Sequence, residues 1–214
     1  MTATAPTVRS PRLLEFLLIF GVGPVLVLAF RERLLFLVLL WLGALVAWRV
    51  TRDQRPPPLM AGEFRRELQA IALRFAAVAL TLGMGTWLAL PEAFLSFPRE
   101  RPWLWFAVMV GYPLVSVWPQ EMLYRCLMRL RYAPLFGSGY GFVMASGLAF
   151  GYAHIIFLNP IAIGLSTLGG CLFAATYARH GSLVLVWLEH ALYGCLIFTI
   201  GLGRFFFTGV AWHP

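Results

Sequence analysis

The sequence predicts an all-α fold, a polytopic transmembrane helical bundle of about seven spans, and three observations carry that expectation. Hydrophobic residues make up 60% of the 214, and charged residues only 12%. A water-soluble domain has about a quarter of its residues charged, so this chain lacks the polar surface to cover a soluble core. The apolar residues also gather in runs at roughly 13–30, 34–50, 69–90, 103–128, 138–158, 160–178 and 182–203. Each is close to the ~20 residues that a spanning helix needs. Finally, no run alternates apolar and polar residues as a barrel strand does, so backbone groups at membrane depth must be bonded within helices.

The first run follows Arg9 and Arg12 with no small-residue cleavage site after it, which reads as a retained anchor rather than a signal peptide. Arg31-Glu32-Arg33 separates it from the second run. A polar loop from Arg49 to Glu67 follows, stiffened by Pro56-Pro57-Pro58. Glu92 to Pro102 joins the third run to the fourth, and Asn159-Pro160 makes a tight turn between the fifth and sixth. The organisation expected is one integral membrane unit in two parts. Residues 1–100 hold N-terminal spans and a cytoplasmic loop, and residues 101–214 hold a bundle with the chemistry-bearing residues. Aromatic residues at 15%, eight of them Trp, suit two interfacial belts.

The net charge of +8 does not indicate nucleic acid. All 17 basic residues are Arg, and they lie between apolar runs rather than on one basic face. That placement orients a membrane protein and attracts anionic headgroups, so membrane lipids are the partners expected. With the N-terminus inside, inner segments hold ten arginines and outer segments five, with Arg74 and Arg125 within runs. The positive-inside rule then favours a cytoplasmic N-terminus. Absence of Lys beside abundant Arg, Ala and Leu points to a bacterial source, and so to the bacterial inner membrane. Cys126, Cys171 and Cys195 lie in apolar runs at spacings that match no zinc or redox motif, and read as small buried hydrophobes. Gly164, Gly169, Gly170, Gly201 and Gly203 suit helix packing within or between chains.

A charged side chain near the bilayer centre costs about 3 kcal/mol even on the gentlest scale, so ionisable residues inside the runs mark where function lies. Glu15 and Arg74 stand near run ends and can snorkel. Six polar or ionisable residues remain in the C-terminal half: Gln120, Glu121, Arg125, His154, Glu189 and His190. Glu121 and Arg125, four apart, share a helix face in the favourable order for an ion pair. That pair lowers the burial penalty of both charges, and it can equally hold Glu121 for chemistry. Glu189 and His190 are adjacent, so they point about 100° apart and need not share a site. Gly194, one turn past His190, leaves space against that ring or admits a close helix. At 1.5 Å per residue, Glu121, His154 and His190 come to roughly 16, 20 and 12 Å from the inner face, within about a turn of one level.

Three segments carry a resemblance: Gln120-Glu121 with Arg125, Phe150 with His154, and His190 with Gly194. In that order, over roughly residues 100–203, they resemble the CPBP (Abi) family of intramembrane proteases, bacterial relatives of the eukaryotic CAAX-prenyl endopeptidase. The resemblance implies an endopeptidase that cleaves membrane-associated or lipidated peptide or protein substrates with water activated by Glu and His. It implies Glu121, Arg125, His154 and His190 as catalytic residues, with Gln120, Glu189 and Phe150 in support. Two departures stand out. Gln120 replaces the first Glu of the family's pair and cannot act as a base. Gly194 replaces an Asn or Asp. Glu121 or Glu189 would then have to supply the carboxylate.

Family members are described as metalloproteases, and His154 and His190 with one or two Glu could complete a zinc site, though no His-Glu-x-x-His helix is present. The alternative is a catalytically impaired member acting as a membrane binding, immunity or scaffold protein. A proton-coupled transporter is a third class, but the chain has no inverted repeat and no paired broken helices.

Overall fold

The computed structural model describes residues 9–207; residues 1–8 and 208–214, at the outer ends of the two expected parts, lie outside the described residues. The first apolar run, expected to be a retained anchor, lies within the described residues, and only the start of the segment before it does not. Among the described residues all regular structure is helical, with no strand.

Seven helices form the bundle. Helix α1 covers 9–30 and includes a π-helical segment at Leu17–Val22. Helices α2 (Arg33–Thr51) and α3 (Ala61–Ala89) follow. Helix α4 runs over 102–131. Helix α5 (Tyr140–Ala153) ends in a 3-10 turn, His154–Phe157. Helices α6 (Pro160–His180) and α7 (Leu183–Thr199) complete the set. Among the described residues five segments are long and apolar enough to cross a membrane: Pro11–Phe30, Leu34–Gln54, Ala61–Ala89, Tyr140–Phe157 and Pro160–His180. Helix α7 is apolar but only 17 residues long. Helix α4 is set apart by two π-helical segments and by the charges of Glu121 and Arg125.

The structure moves one boundary. The third apolar run begins at about residue 69, yet α3 begins at Ala61 and takes in much of the expected polar loop. Its added turns contain Glu63, Arg65, Arg66 and Glu67, all good helix formers. Glu67 then anchors this extension by accepting from Arg179 and His180 of α6, both at 3.0 Å.

Helix α4 is shaped by its prolines. Pro113 and Pro119 have no N–H to give to the carbonyls of Met109 and Val115 one turn earlier. The freed Val115 carbonyl accepts from Trp41 Nε1 at 3.0 Å, and Cys195 Sγ reaches the Met109 carbonyl at 3.8 Å. Trp187 Nε1 adds a 2.7 Å bond to the Pro113 carbonyl. Side chains of α2 and α7 thus satisfy backbone groups that would otherwise be orphaned in an apolar medium. The wider π turns at Pro113–Val117 and Met122–Leu127 also reset which α4 residues face inward.

At the other end of α4, Glu15 of α1 receives Arg131 Nη2 at 2.9 Å and the Tyr132 hydroxyl at 2.9 Å. Glu15 is therefore paired as well as near a helix end. Burial, and then the bond to Glu15, push the Tyr132 phenol above the ordinary tyrosine range.

Helices α5 and α6 approach closely because both present glycine at the contact. A Cβ at Gly147 would lie 2.9 Å from the Cys171 nitrogen, and one at Gly151 3.0 Å from Thr167 Cα. Gly170 meets Gly147 from the other side, so its packing partner is within the chain. Backbone atoms cannot give way as side-chain tips can. Gly147→Val should therefore separate the helices and lower stability by about 1–3 kcal/mol. Gly164→Ala, where nothing lies within 4 Å, should leave it unchanged or slightly raised. Thermal unfolding in detergent checks both, and a Tm for Gly147→Val equal to wild type would refute the contact.

Candidate active site

A cavity of about 400 Å³ lies among α3, α4, α5, α6 and α7. Its wall is largely aromatic and aliphatic, with Phe150, Phe157, Phe173, Phe198 and Phe206 beside Val78 and Leu82 of α3. Polar groups enter it at few places: Tyr112, Ser116 and Gln120 from α4, His154 after α5, Ser166 of α6, and His190 and Tyr193 from α7. Tyr112, Ser116 and Gln120 are four apart, a spacing that the wide turn after Pro113 keeps on one face. Leu168 belongs to the wall and is itself 70% exposed, so the cavity opens through the side of the bundle.

Behind this wall sits the charged centre. Glu121 and Arg125 are both fully buried and form an ion pair, with Arg125 Nε 3.1 Å from Glu121 Oε2. The contact lacks hydrogen-bond geometry, so the attraction is that of two close charges. Arg125 Nη1 donates to Ser146 Oγ at 2.6 Å, and the Ser146 hydroxyl in turn donates to the Tyr124 carbonyl at 2.7 Å. The guanidinium also lies 5.1 Å from the Phe150 ring and 5.7 Å from the Phe173 ring, where aromatic faces favour a cation. Arg125 is thereby locked, and it locks Glu121.

Glu121 Oε1 lies 2.8 Å from His190 Nδ1. Beside Arg125, Glu121 is a carboxylate and accepts only, so His190 Nδ1 carries the proton. The His190 ring stacks on Phe173 at 4.6 Å and meets the Phe150 edge at 5.3 Å. Its Nε2, on the cavity side, is 3.1 Å from the Tyr112 hydroxyl. Glu121 itself is not part of the cavity wall. The carboxylate reaches the cavity through the imidazole in front of it.

His154 enters from the 3-10 turn that ends α5. Its Nδ1 donates to the Phe150 carbonyl one turn back, at 2.7 Å, which fixes the tautomer and leaves Nε2 as a lone-pair acceptor. Among the described residues nothing in the protein hydrogen-bonds that Nε2. Phe150 stands between the two imidazoles, 4.7 Å from one ring and 5.3 Å from the other. Gln120 Nε2 donates to Ser116 Oγ at 2.7 Å, so its carbonyl oxygen is the end left for another donor.

Residues 101–196 match the family model described as type II CAAX prenyl endopeptidase Rce1-like. The match covers a little under half of the chain and supports its recognition as a relative of the CAAX proteases. No curated protein and no solved structure matches the chain. The matched segment holds every polar residue just placed on the cavity; of the wall residues named, only the apolar Val78, Leu82, Phe198 and Phe206 lie outside it.

The expected residues separate into two groups. Glu121, Arg125, Phe150, His154 and His190 come together, with Gln120 on the same wall. Glu189 does not join them. It is fully buried on the opposite flank of α7, where Oε1 accepts from Arg74 Nη2 at 2.9 Å. Arg74 Nη2 also reaches Glu67 at 3.0 Å and Thr176 at 3.4 Å. Arg74 therefore sits in the middle of α3 rather than near a helix end, and it is the counter-charge of a buried carboxylate. The partner of Glu189 lies 115 positions away in sequence.

The donor set does not fit a metal ion in this arrangement. His190 has Nδ1 on Glu121 and Nε2 against Tyr112. Among the described residues no three His, Cys, Asp or Glu side chains converge as ligands. Zinc needs three or four such ligands, and His154 offers one free nitrogen. Tyr112, Ser146 and Phe173 are residues around this centre that sequence reasoning did not single out. Gly194 hinted at Tyr112 alone, through the space it leaves one turn beyond His190.

Proposed function

We propose that the chain is an intramembrane endopeptidase in which His154 activates water against a peptide bond that enters the cavity from the side. The observation that carries this reading is the pair of fixed imidazoles facing one apolar cavity, one with a free Nε2 and one backed by a buried carboxylate. His154 Nε2 takes a proton from water as the oxygen attacks the carbonyl carbon, and the resulting imidazolium returns that proton to the leaving amine. His190, held by Glu121, supplies the second pole: when it is protonated the Tyr112 oxygen accepts from Nε2–H, and the positive charge of the ring stabilises the carbonyl oxygen as negative charge develops there. Glu121 stabilises that imidazolium, and Arg125 holds Glu121. Both are positioning residues, since neither reaches the cavity. Gln120, which cannot accept a proton, orients the water through its carbonyl oxygen.

The lateral opening and apolar wall support membrane-associated or lipidated peptides as substrates. The arginine distribution supports a cytoplasmic N-terminus in a bacterial inner membrane. The test is hydrolysis by purified protein in lipid nanodiscs of quenched fluorescent peptides, with and without an S-farnesyl cysteine near the C-terminus. Cleavage that persists in EDTA is expected, and cleavage abolished by EDTA and restored by zinc would overturn the metal-free route. A second reading has one observation in its favour: no carboxylate stands on the cavity wall. A non-catalytic member would hold the same peptides without cleaving them. Retention of intact peptide through long incubation would establish that reading instead.

A further inference from the structure

We infer that Tyr112 is a positioning residue for His190, seated in a slot that exists because residue 194 is glycine. For catalysis this rests on the endopeptidase reading; for the hold on His190 it does not. His190 is gripped at both edges. Glu121 accepts from Nδ1–H at 2.8 Å, so the neutral ring presents a lone pair at Nε2, and the Tyr112 hydroxyl at 3.1 Å donates to it. Two bonds on opposite edges, with Phe173 stacked on one face, leave the imidazole a single orientation and a single tautomer.

The slot is the second, independent observation. A Cβ built at 194 would overlap both the ring and the hydroxyl of Tyr112. Any side chain at 194 and the phenol of Tyr112 are therefore mutually exclusive occupants of one volume. Phe198, one turn further along α7, closes the slot with an edge contact to Tyr112 at 5.3 Å. Tyr112 reaches this place because it immediately precedes Pro113, where α4 widens into its π turn. A polar side chain at 194 in the family pattern would occupy the volume that the Tyr112 hydroxyl fills here. The departure at Gly194 and the presence of Tyr112 are two halves of one arrangement.

The test reads the hydrogen bond and the chemistry separately. Protein labelled with ¹⁵N-histidine in nanodiscs gives ring-nitrogen signals for its four His, and His190 is assigned by its loss in His190→Gln. The expected result is an Nδ1–H tautomer with a hydrogen-bonded Nε2. In Tyr112→Phe that Nε2 signal should move to the position of a free imine nitrogen, and Gly194→Ala, which evicts the phenol, should do the same. Unchanged His190 signals in Tyr112→Phe would overturn the proposal. On the peptides above, Tyr112→Phe should lower kcat roughly ten- to hundredfold with KM little changed, the scale of one hydrogen bond at a charge-developing group. Tyr112→Ala combined with Gly194→Asn should recover part of that loss. A wild type that cleaves nothing would fell the endopeptidase reading, while the nitrogen spectra would still decide the hold of Tyr112 on His190.

Discussion

Arg125→Ala is expected to destabilise the protein by about 3–5 kcal/mol, the largest effect on stability of any single substitution in the site. Arg125 and Glu121 are both fully buried, and the chain tolerates the carboxylate there only because the guanidinium stands 3.1 Å away. Without it Glu121 keeps one bond, to His190, and an uncompensated charge in an apolar interior. Ser146 loses its 2.6 Å donor, and Phe150 and Phe173 lose the cation against their faces. Arg125→Lys should recover little, because a single ammonium cannot serve Glu121, Ser146 and two ring faces from one planar fork. Arg125→Met with Glu121→Leu should be milder than Arg125→Ala alone, since removing both charges leaves neither one stranded. The comparison is made by thermal unfolding in matched detergent. A wild-type Tm for Arg125→Ala would show that the ion pair is not what makes this interior stable.

That pair was readable in the sequence because its geometry is local. A separation of four residues on a helix determines a shared face, and the apolar runs determine the helices. The resemblance covered the same ground, and Glu121, His154 and His190 do share one centre. What stayed hidden depends on long-range partners and on helix phase. Tyr112 sits in a segment rich in Trp, Phe and Tyr, where an aromatic residue reads as packing or an interfacial belt; its partner His190 is 78 positions away. Arg74 read as a residue near a helix end because the apolar run starts at about 69 while α3 starts at Ala61, and its counter-charge Glu189 lies on another helix. The π turns after Pro113 and Glu121 rotate α4 so that Gln120 reaches the cavity while Glu121 turns behind His190. No 3.6-residue count gives that phase. The sequence therefore left Glu121 or Glu189 as the replacement carboxylate, whereas Glu121 is placed to hold the imidazole in front of it and Glu189 is turned to Arg74.

His154→Gln is expected to lower kcat on cleavable peptides by about 10²–10⁴-fold, the usual contribution of a general base. KM and Tm should stay close to wild type. The side chain makes one protein hydrogen bond, from Nδ1 to the Phe150 carbonyl, and a Gln amide can donate to the same acceptor. The substitution removes basicity while keeping a polar side chain on the wall, so a loss of rate without a loss of fold isolates proton transfer. Glu121→Gln provides the contrast. It leaves the free Nε2 of His154 intact but weakens the hold on His190 and strands the charge of Arg125, so it should lower both kcat and Tm. If the base were Glu121, the pattern would reverse: His154→Gln would retain substantial rate, and Glu121→Gln would show none. The buried position of Glu121, screened from the cavity by His190, favours the first outcome.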